Sequence, residues 1–183
     1  MSWSIISAAD VAPQAWRNGG GRTRELLAWP HSNDWLLRIS VADIETDGPF
    51  SKFEGVDRWF AVLDGAGVRL FGHELRAGEP LLQFDGAAAP ECSLIDGVTR
   101  DFNLMHRRGK GRLRVQPAGT ALAPVSARWV GLFTAAGGVL SHGGRAMPLA
   151  ALSLAWCEAP SPQSCTFEGN GSAWWMSWHE DAE

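Results

Sequence analysis

The sequence predicts an all-β fold built from two copies of one jelly-roll module. Three features carry that expectation. Short runs of branched and aromatic residues are bounded by Gly, Pro, Asp or Asn at intervals of about 8–12 residues, as in sandwiches and barrels. Nowhere does an apolar period of 3.6 persist without a glycine, so no long amphipathic helix is expected. The chain also repeats itself: "RWFAVLDGAGVRLFG" (58–72) and "RWVGLFTAAGGVLSHG" (128–143) both begin Arg-Trp, run apolar, cross a small-residue turn and resume with Val and Leu. "CSLIDG" (92–97) and "CTFEGN" (165–170) continue the match, and Met105-His106 is echoed by Trp178-His179. Facing antiparallel sheets hide apolar faces and limit open edges, which suits such modules to a double-sheet jelly roll. The expected division is a first module over residues 1–115 and a diverged second module, packed on it, over 116–183.

Each element follows from local pattern. "AWRNGGGRTREL" (15–26) is a glycine-rich turn leading into the strand "TRELLAWP". "DWLLRISVAD" alternates, placing Trp35, Leu37, Ile39 and Val41 on one face and Leu36, Arg38, Ser40 and Ala42 on the other. "RWFAVLDGAGVRLFGHEL" reads as strand, glycine turn and strand, the pattern of a β-hairpin. In "DFNLM", Asp101 and Asn103 share a face. Five basic residues between Arg107 and Arg114 form a solvated turn without interleaved aromatics, and the Ala/Pro/Gly stretch 117–124 is a connector. "PLAALSLAW" reads equally as a buried strand or a short helix. The Trp174, Trp175 and Trp178 cluster reads as core of the second module.

Composition narrows the function. A net charge of −4 gives no basic field for nucleic acid or an anionic membrane. The N-terminus lacks a signal-peptide pattern and no apolar run approaches a membrane span, so the expected location is the cytoplasm. Three cysteines without metal-type spacing are expected as buried thiols. There are ten tryptophans and no tyrosine, which removes tyrosine chemistry.

Among chemical candidates, the five histidines form no HxH or HxxxH, and no metal or other cofactor is expected. No GxSxG occurs, and Cys92 lies in a strand pattern. The glycine loop lacks the Lys-Ser/Thr ending of a phosphate loop and precedes a strand, not a helix. Its glycines can expose N–H groups as an anion-sized nest beside Arg17 and Arg22, or simply turn the chain with Trp16 as an anchor. Inside strands, Arg38, Asp101 and Asn103 are polar groups that burial obliges to be paired or used. They can bind a small acid, or Arg38 can pair with Asp101 structurally.

Three separated stretches, "WRNGGGRTREL", "RISVADIETDGPFSKFEGVDRWFAVLDGAGVRL" and "DFNLMHRR", resemble in order and spacing the HutD/Ves family of bacterial proteins. The resemblance spans Trp16 to Arg108. It implies a cupin fold, the double-stranded β-helix, with two tandem modules (a bicupin). Family members have no established enzymatic activity. HutD members accompany histidine-utilisation genes and are suggested to bind an intermediate such as formylglutamate or urocanate, and Ves members are linked to stress responses. The family motif usually has Lys after its Trp; this chain has Arg17.

The leading expectation is a metal-free sensor or regulator that binds a carboxylate metabolite through Arg17, Asn18, Arg22, Arg38, Asp101 and Asn103. The alternative is a metal-independent isomerase, lyase or hydrolase with Asp101 or His106 as base. A third class is an interaction module whose "WWMSW" tryptophans form a homodimer face.

Overall fold

The computed structural model describes residues 2–119, 127–158 and 164–181; of the 117–124 connector, residues 120–124 lie outside these. The chain runs through β1 (Ser4–Ser7), β2 (Gln14–Ala15), β3 (Gly21–His31), β4 (Asp34–Ile44), β5 (Gly48–Pro49), β6 (Val56–Asp64), β7 (Val68–Leu70), β8 (His73–Leu75), β9 (Leu82–Asp85), β10 (Glu91–Leu94) and β11 (Thr99–Arg107). It continues through β12 (Arg112–Pro117), β13 (Trp129–Thr134), β14 (Gly138–His142), β15 (Arg145–Leu149), β16 (Ser153–Glu158), β17 (Cys165–Glu168) and β18 (Ala173–His179). Among the described residues the only helices are two single 3-10 turns, Ala8–Asp10 and Gly86–Ala88.

The strands group into two units: an N-terminal unit, Val11–Arg108, and a C-terminal unit, Met1–Asp10 with Gly109–Glu183. The sequence reading gave the first ten residues to the N-terminal module. In the structure β1 instead lies antiparallel to β16, with Ser4 opposite Trp156 and Ser7 opposite Ser153. Its four residues, Ser-Ile-Ile-Ser, carry no alternation that would fix a face or a register, so local sequence does not say which sheet edge it joins.

The N-terminal unit has a six-stranded sheet in the order β2-β3-β4-β11-β6-β9 and a four-stranded sheet β5-β10-β7-β8. Ile44, Phe60 and Val62 from the large sheet pack with Val68, Leu70 and Cys92 from the small one. The C-terminal unit has a five-stranded sheet β1-β16-β13-β18-β12 and a three-stranded sheet β15-β14-β17. Val130, Leu132, Ala155 and Trp175 meet Leu140, Met147, Leu149 and Cys165 there. Each large apolar side chain withdrawn from water in this way contributes roughly 1.5–3 kcal/mol before entropy is counted. The internal repeat in the sequence therefore has a counterpart in topology: β6 lies between β11 and β9 as β13 lies between β18 and β16.

One expected hairpin is displaced. β6 and β7 do not pair; β6 pairs with β11 and β9, while β7 pairs with β10 and β8. The Gly65–Gly67 turn is a corner between sheets, and a Cβ on Gly67 (φ +105°) would sit 2.2 Å from the carbonyl oxygen of Leu75. The true hairpin comes one turn later, where Phe71 (φ +52°) and Gly72 (φ +80°) join β7 to β8. Consecutive positive φ values match the twist of a tight hairpin. "PLAALSLAW" resolves into β15, a turn and β16, and Trp174, Trp175 and Trp178 are all buried.

Candidate functional site

Three adjacent strands of the N-terminal unit build the site through their register. Across β4, β11 and β6, Ala42, Asp101 and Val62 stand in one row, Ser40, Asn103 and Phe60 in the next, and Arg38, Met105 and Arg58 in the third. Because alternate residues share a face, these nine side chains lie on one surface of the sheet. Beside the core residues Phe60 and Val62 the β11 and β4 side of these rows is polar, and there a cavity of about 400 Å³ opens, with residues 16–18 and 50–53 completing its wall.

Arg58 dominates this cavity. It is only 4% exposed, with its guanidinium carbon 4.9 Å from the Phe50 ring centre, 5.2 Å from Phe84 and 5.8 Å from Phe53. Nη2 donates to Asn103 Oδ1 at 2.6 Å and Nη1 to the Ser51 carbonyl at 3.5 Å, while Nε has no partner among the described residues. All its contacts are neutral. Burial lowers its pKa to about 10, with the Asp101 charge pulling upward and Arg38 downward, so it remains a cation at neutral pH. Ring faces favour a cation, but not as much as an anion does.

Asp101 lies one row beyond Asn103 and is 1% exposed. Its Oδ1 accepts from Asn103 Nδ2, and Oδ2 has no partner among the described residues. Burial pushes its carboxyl up to about 8, against the pull of Arg58 and the Asn103 hydrogen bond, with the nearby Asp43 charge adding to the rise. The Asn103 amide thus stands between a buried cation and a carboxyl that burial pushes toward its neutral form.

The sequence-derived candidates divide. Arg17, Asn18, Arg38, Asp101 and Asn103 all border this cavity. Arg22 does not: it points to solvent, where its guanidinium meets Glu45 at 2.5 Å. Arg38 pairs with Glu25 at 2.5 Å, not with Asp101. His106 falls on the opposite face of β11 from Asp101, which removes it from this cavity. Nor is the glycine loop an anion nest. The Gly19 N–H donates to the Trp16 carbonyl at 3.0 Å and the Gly20 N–H to Asn18 Oδ1 at 3.0 Å, so both are spent inside the turn. Gly21 is required for close approach: a Cβ there would lie 2.3 Å from the Asp43 carbonyl and 3.1 Å from the Trp16 ring. Trp16 is itself fixed by a 2.7 Å bond from Nε1 to Thr23 Oγ1.

Sequence reading missed Arg58. The available signal was its phase: in "VDRWFAVL" it alternates with Phe60 and Val62, a charge at an interior position. Among the described residues, no three His, Cys, Asp or Glu side chains gather as metal ligands would. The three thiols are buried, and burial pushes Cys92 up to about 12 and Cys165 to about 11.

Facing antiparallel sheets with a polar cavity at one end define the class of cupin-like barrels. A Cupin 2 conserved barrel domain protein from Leptotrichia buccalis, 12% identical, shares the fold at a TM-score of 0.56 over 97% of this chain and 96% of that one. Within this class the chain belongs to the HutD family, whose profile matches residues 8–175. HutD from Pseudomonas fluorescens SBW25, solved in a formate condition, is 26% identical with a TM-score of 0.83 over 99% of this chain and all of that one. An uncharacterised 21.2 kDa protein from the hutC 3′ region of Pseudomonas putida is 38% identical over 77% of this chain and 78% of its own length. Protein Ves of Cronobacter sakazakii is 39% identical over 56% of this chain and 60% of that protein.

Proposed function

We propose that the N-terminal unit is a binding site for a small carboxylate metabolite, with Arg58 as its anchor, and that the two units are tandem cupin modules of which the first carries the ligand. One observation carries the reading: Arg58 is a buried cation facing a cavity with no anionic hydrogen-bond partner among the described residues. A guanidinium fork is suited to a carboxylate, and a buried charge is stabilised most by an opposite charge it can hydrogen-bond. The apolar wall of Phe50, Phe53 and Met105 suits a short carbon skeleton. The family is linked by name to histidine utilisation. Intermediates of that pathway such as formylglutamate and urocanate are the candidates, bound by a sensor or regulator.

Calorimetric titration with formylglutamate, urocanate and glutamate tests this. At least one acid should bind with one site per chain, and Arg58→Met should weaken it by about 10- to 150-fold, the equivalent of losing a charge-assisted bond of about 1.5–3 kcal/mol. Met keeps most of the apolar volume without the charge, so folding should be preserved or improved. No heat with any of the three acids, in a folded sample, contradicts the proposal.

A second reading rests on Asp101, whose raised carboxyl at a cavity is also what a metal-free isomerase or lyase needs for a base. Following these acids by NMR tests it: chemical change lost in Asp101→Asn supports catalysis, and acids recovered unchanged retire it.

A further inference from the structure

A structural aspartate beside a buried arginine would be expected to close on it directly; Asp101 does not. Asn103 intervenes, accepting from Arg58 through Oδ1 and donating to Asp101 through Nδ2. No ion pair joins Arg58 to Asp101 among the described residues, and each keeps an unpartnered polar atom, Arg58 Nε and Asp101 Oδ2, in residues that line the cavity. Resting on the carboxylate-site reading above, we propose that Asp101 is the proton-carrying half of that site. The ligand carboxylate binds with one oxygen on the Arg58 guanidinium and the other accepting a hydrogen bond from a protonated Asp101 Oδ2, so that anion and proton are held together.

Charge balance explains the coupling. With Asp101 ionised, the net charge across Arg58, Asn103 and Asp101 is already zero, and an incoming carboxylate would place two buried negative charges against one positive. With Asp101 protonated, the charge of Arg58 is available to the ligand, and an O–H···O⁻ bond to the second oxygen belongs to the short, strong class. Proton and carboxylate must then each raise the affinity for the other. Burial places the Asp101 carboxyl near 8 in the free protein, which makes the coupling visible at accessible pH.

The neighbouring charged groups leave Asp101 as the one that changes state there. From β4, Arg38 is bound to Glu25, and Asp43 is bound to both Arg24 and Arg100. Burial alone would raise Asp43, but those two arginines hold its carboxyl below the ordinary value. From β10, the Cys92 thiol is pushed up to about 12; from β6, Arg58 falls only to about 10.

Formate is the probe, since it stays ionised throughout the range. Its binding to the full chain is measured by ligand-observed ¹³C NMR at constant ionic strength, alongside calorimetry in two buffers of different ionisation enthalpy. Affinity should be level below about pH 7 and about tenfold weaker near pH 9 than near pH 7, with a proton taken up on binding near pH 8.5. Asp101→Asn, neutral at every pH, should bind formate with the same affinity near pH 7 and pH 9. Should that variant not fold, the wild-type pH profile and proton uptake decide alone. Formate binding that is level from pH 7 to 9 without proton uptake, or a pH dependence that survives in Asp101→Asn, overturns the proposal while leaving the carboxylate site standing. No formate binding at any pH overturns both.

Discussion

The two units share a strand trio, β11-β6-β9 in one and β18-β13-β16 in the other, and differ in the side chains it carries. In the N-terminal unit, Phe60 and Val62 of β6 face Asn103 and Asp101 of β11. The repeat sets Phe60 and Val62 beside Val130 and Leu132 of β13, which face Ser177 and Trp175 of β18. Where one unit has a carboxyl, the other has an indole that is 0% exposed and packed into the core. The Arg-Trp pair that opens each copy diverges as well. Arg58 is buried among phenylalanines, while Arg128 is half exposed and meets Glu180 at 3.1 Å. A few side chains thus put a polar cavity at this position in one unit and a buried indole at the matching position in the other.

Three substitutions sharpen or break that contrast. The largest effect is expected from Trp175→Ala, which would open a cavity in a core that has no polar alternative. Truncating a buried Trp costs about 3–5 kcal/mol. Urea denaturation should show that loss, with carboxylate binding in the folded fraction retained. A stability loss below about 1 kcal/mol would mean that Trp175 does not fill its unit as Asp101 leaves its own open.

Next in size is a pH-dependent effect at Asp101. Its carboxyl sits near 8 when folded against an ordinary value of 3.8, because burial disfavours the charge. Between those values the folded chain binds more protons than the unfolded one, so stability must fall as pH rises through this window. Asp101→Asn removes that slope. Its melting temperature relative to wild type should climb from near pH 5 to near pH 8 and then level off; parallel curves would show that the carboxyl ionises normally.

The smallest effect belongs to Arg22→Ala. Its partner Glu45 is across an exposed pair, with side-chain exposures of 47% and 31%, and such pairs are worth about 0–1 kcal/mol. Carboxylate affinity should not change, whereas a loss would return Arg22 to the site.

Much of this arrangement was legible from alternation alone. "DWLLRISVAD" sets Arg38 on one face with Ser40 and Ala42, and "DFNLM" sets Asp101 with Asn103, because period two is local there; which face meets the cavity depends on the pairing of the strands. Arg58 is not legible in the same way, because the pairs Arg58-Trp59 and Arg128-Trp129 look alike in sequence while one arginine is buried and the other exposed. The Glu25 partner of Arg38 depends on a register shift in the β3–β4 pair between Glu25 and Leu27, which no pattern within one strand reveals. The hairpin slipped for a related reason: glycine turns at 65–67 and 71–72 both fit tight reversal, and only the crossing between sheets distinguishes them. The loop glycines read equally as an anion nest or as a turn, and the Asn18 side chain, which takes the Gly20 N–H, decides for the turn.

The most direct test of the contrast is the Arg58 Nε–H resonance in ¹⁵N spectra, assigned by its disappearance in Arg58→Met and followed as formate is added near pH 6.5. The account predicts that this resonance moves and saturates with one formate per chain. A resonance that stays fixed while formate binds elsewhere would contradict the claim that the buried guanidinium of the N-terminal unit is the carboxylate anchor.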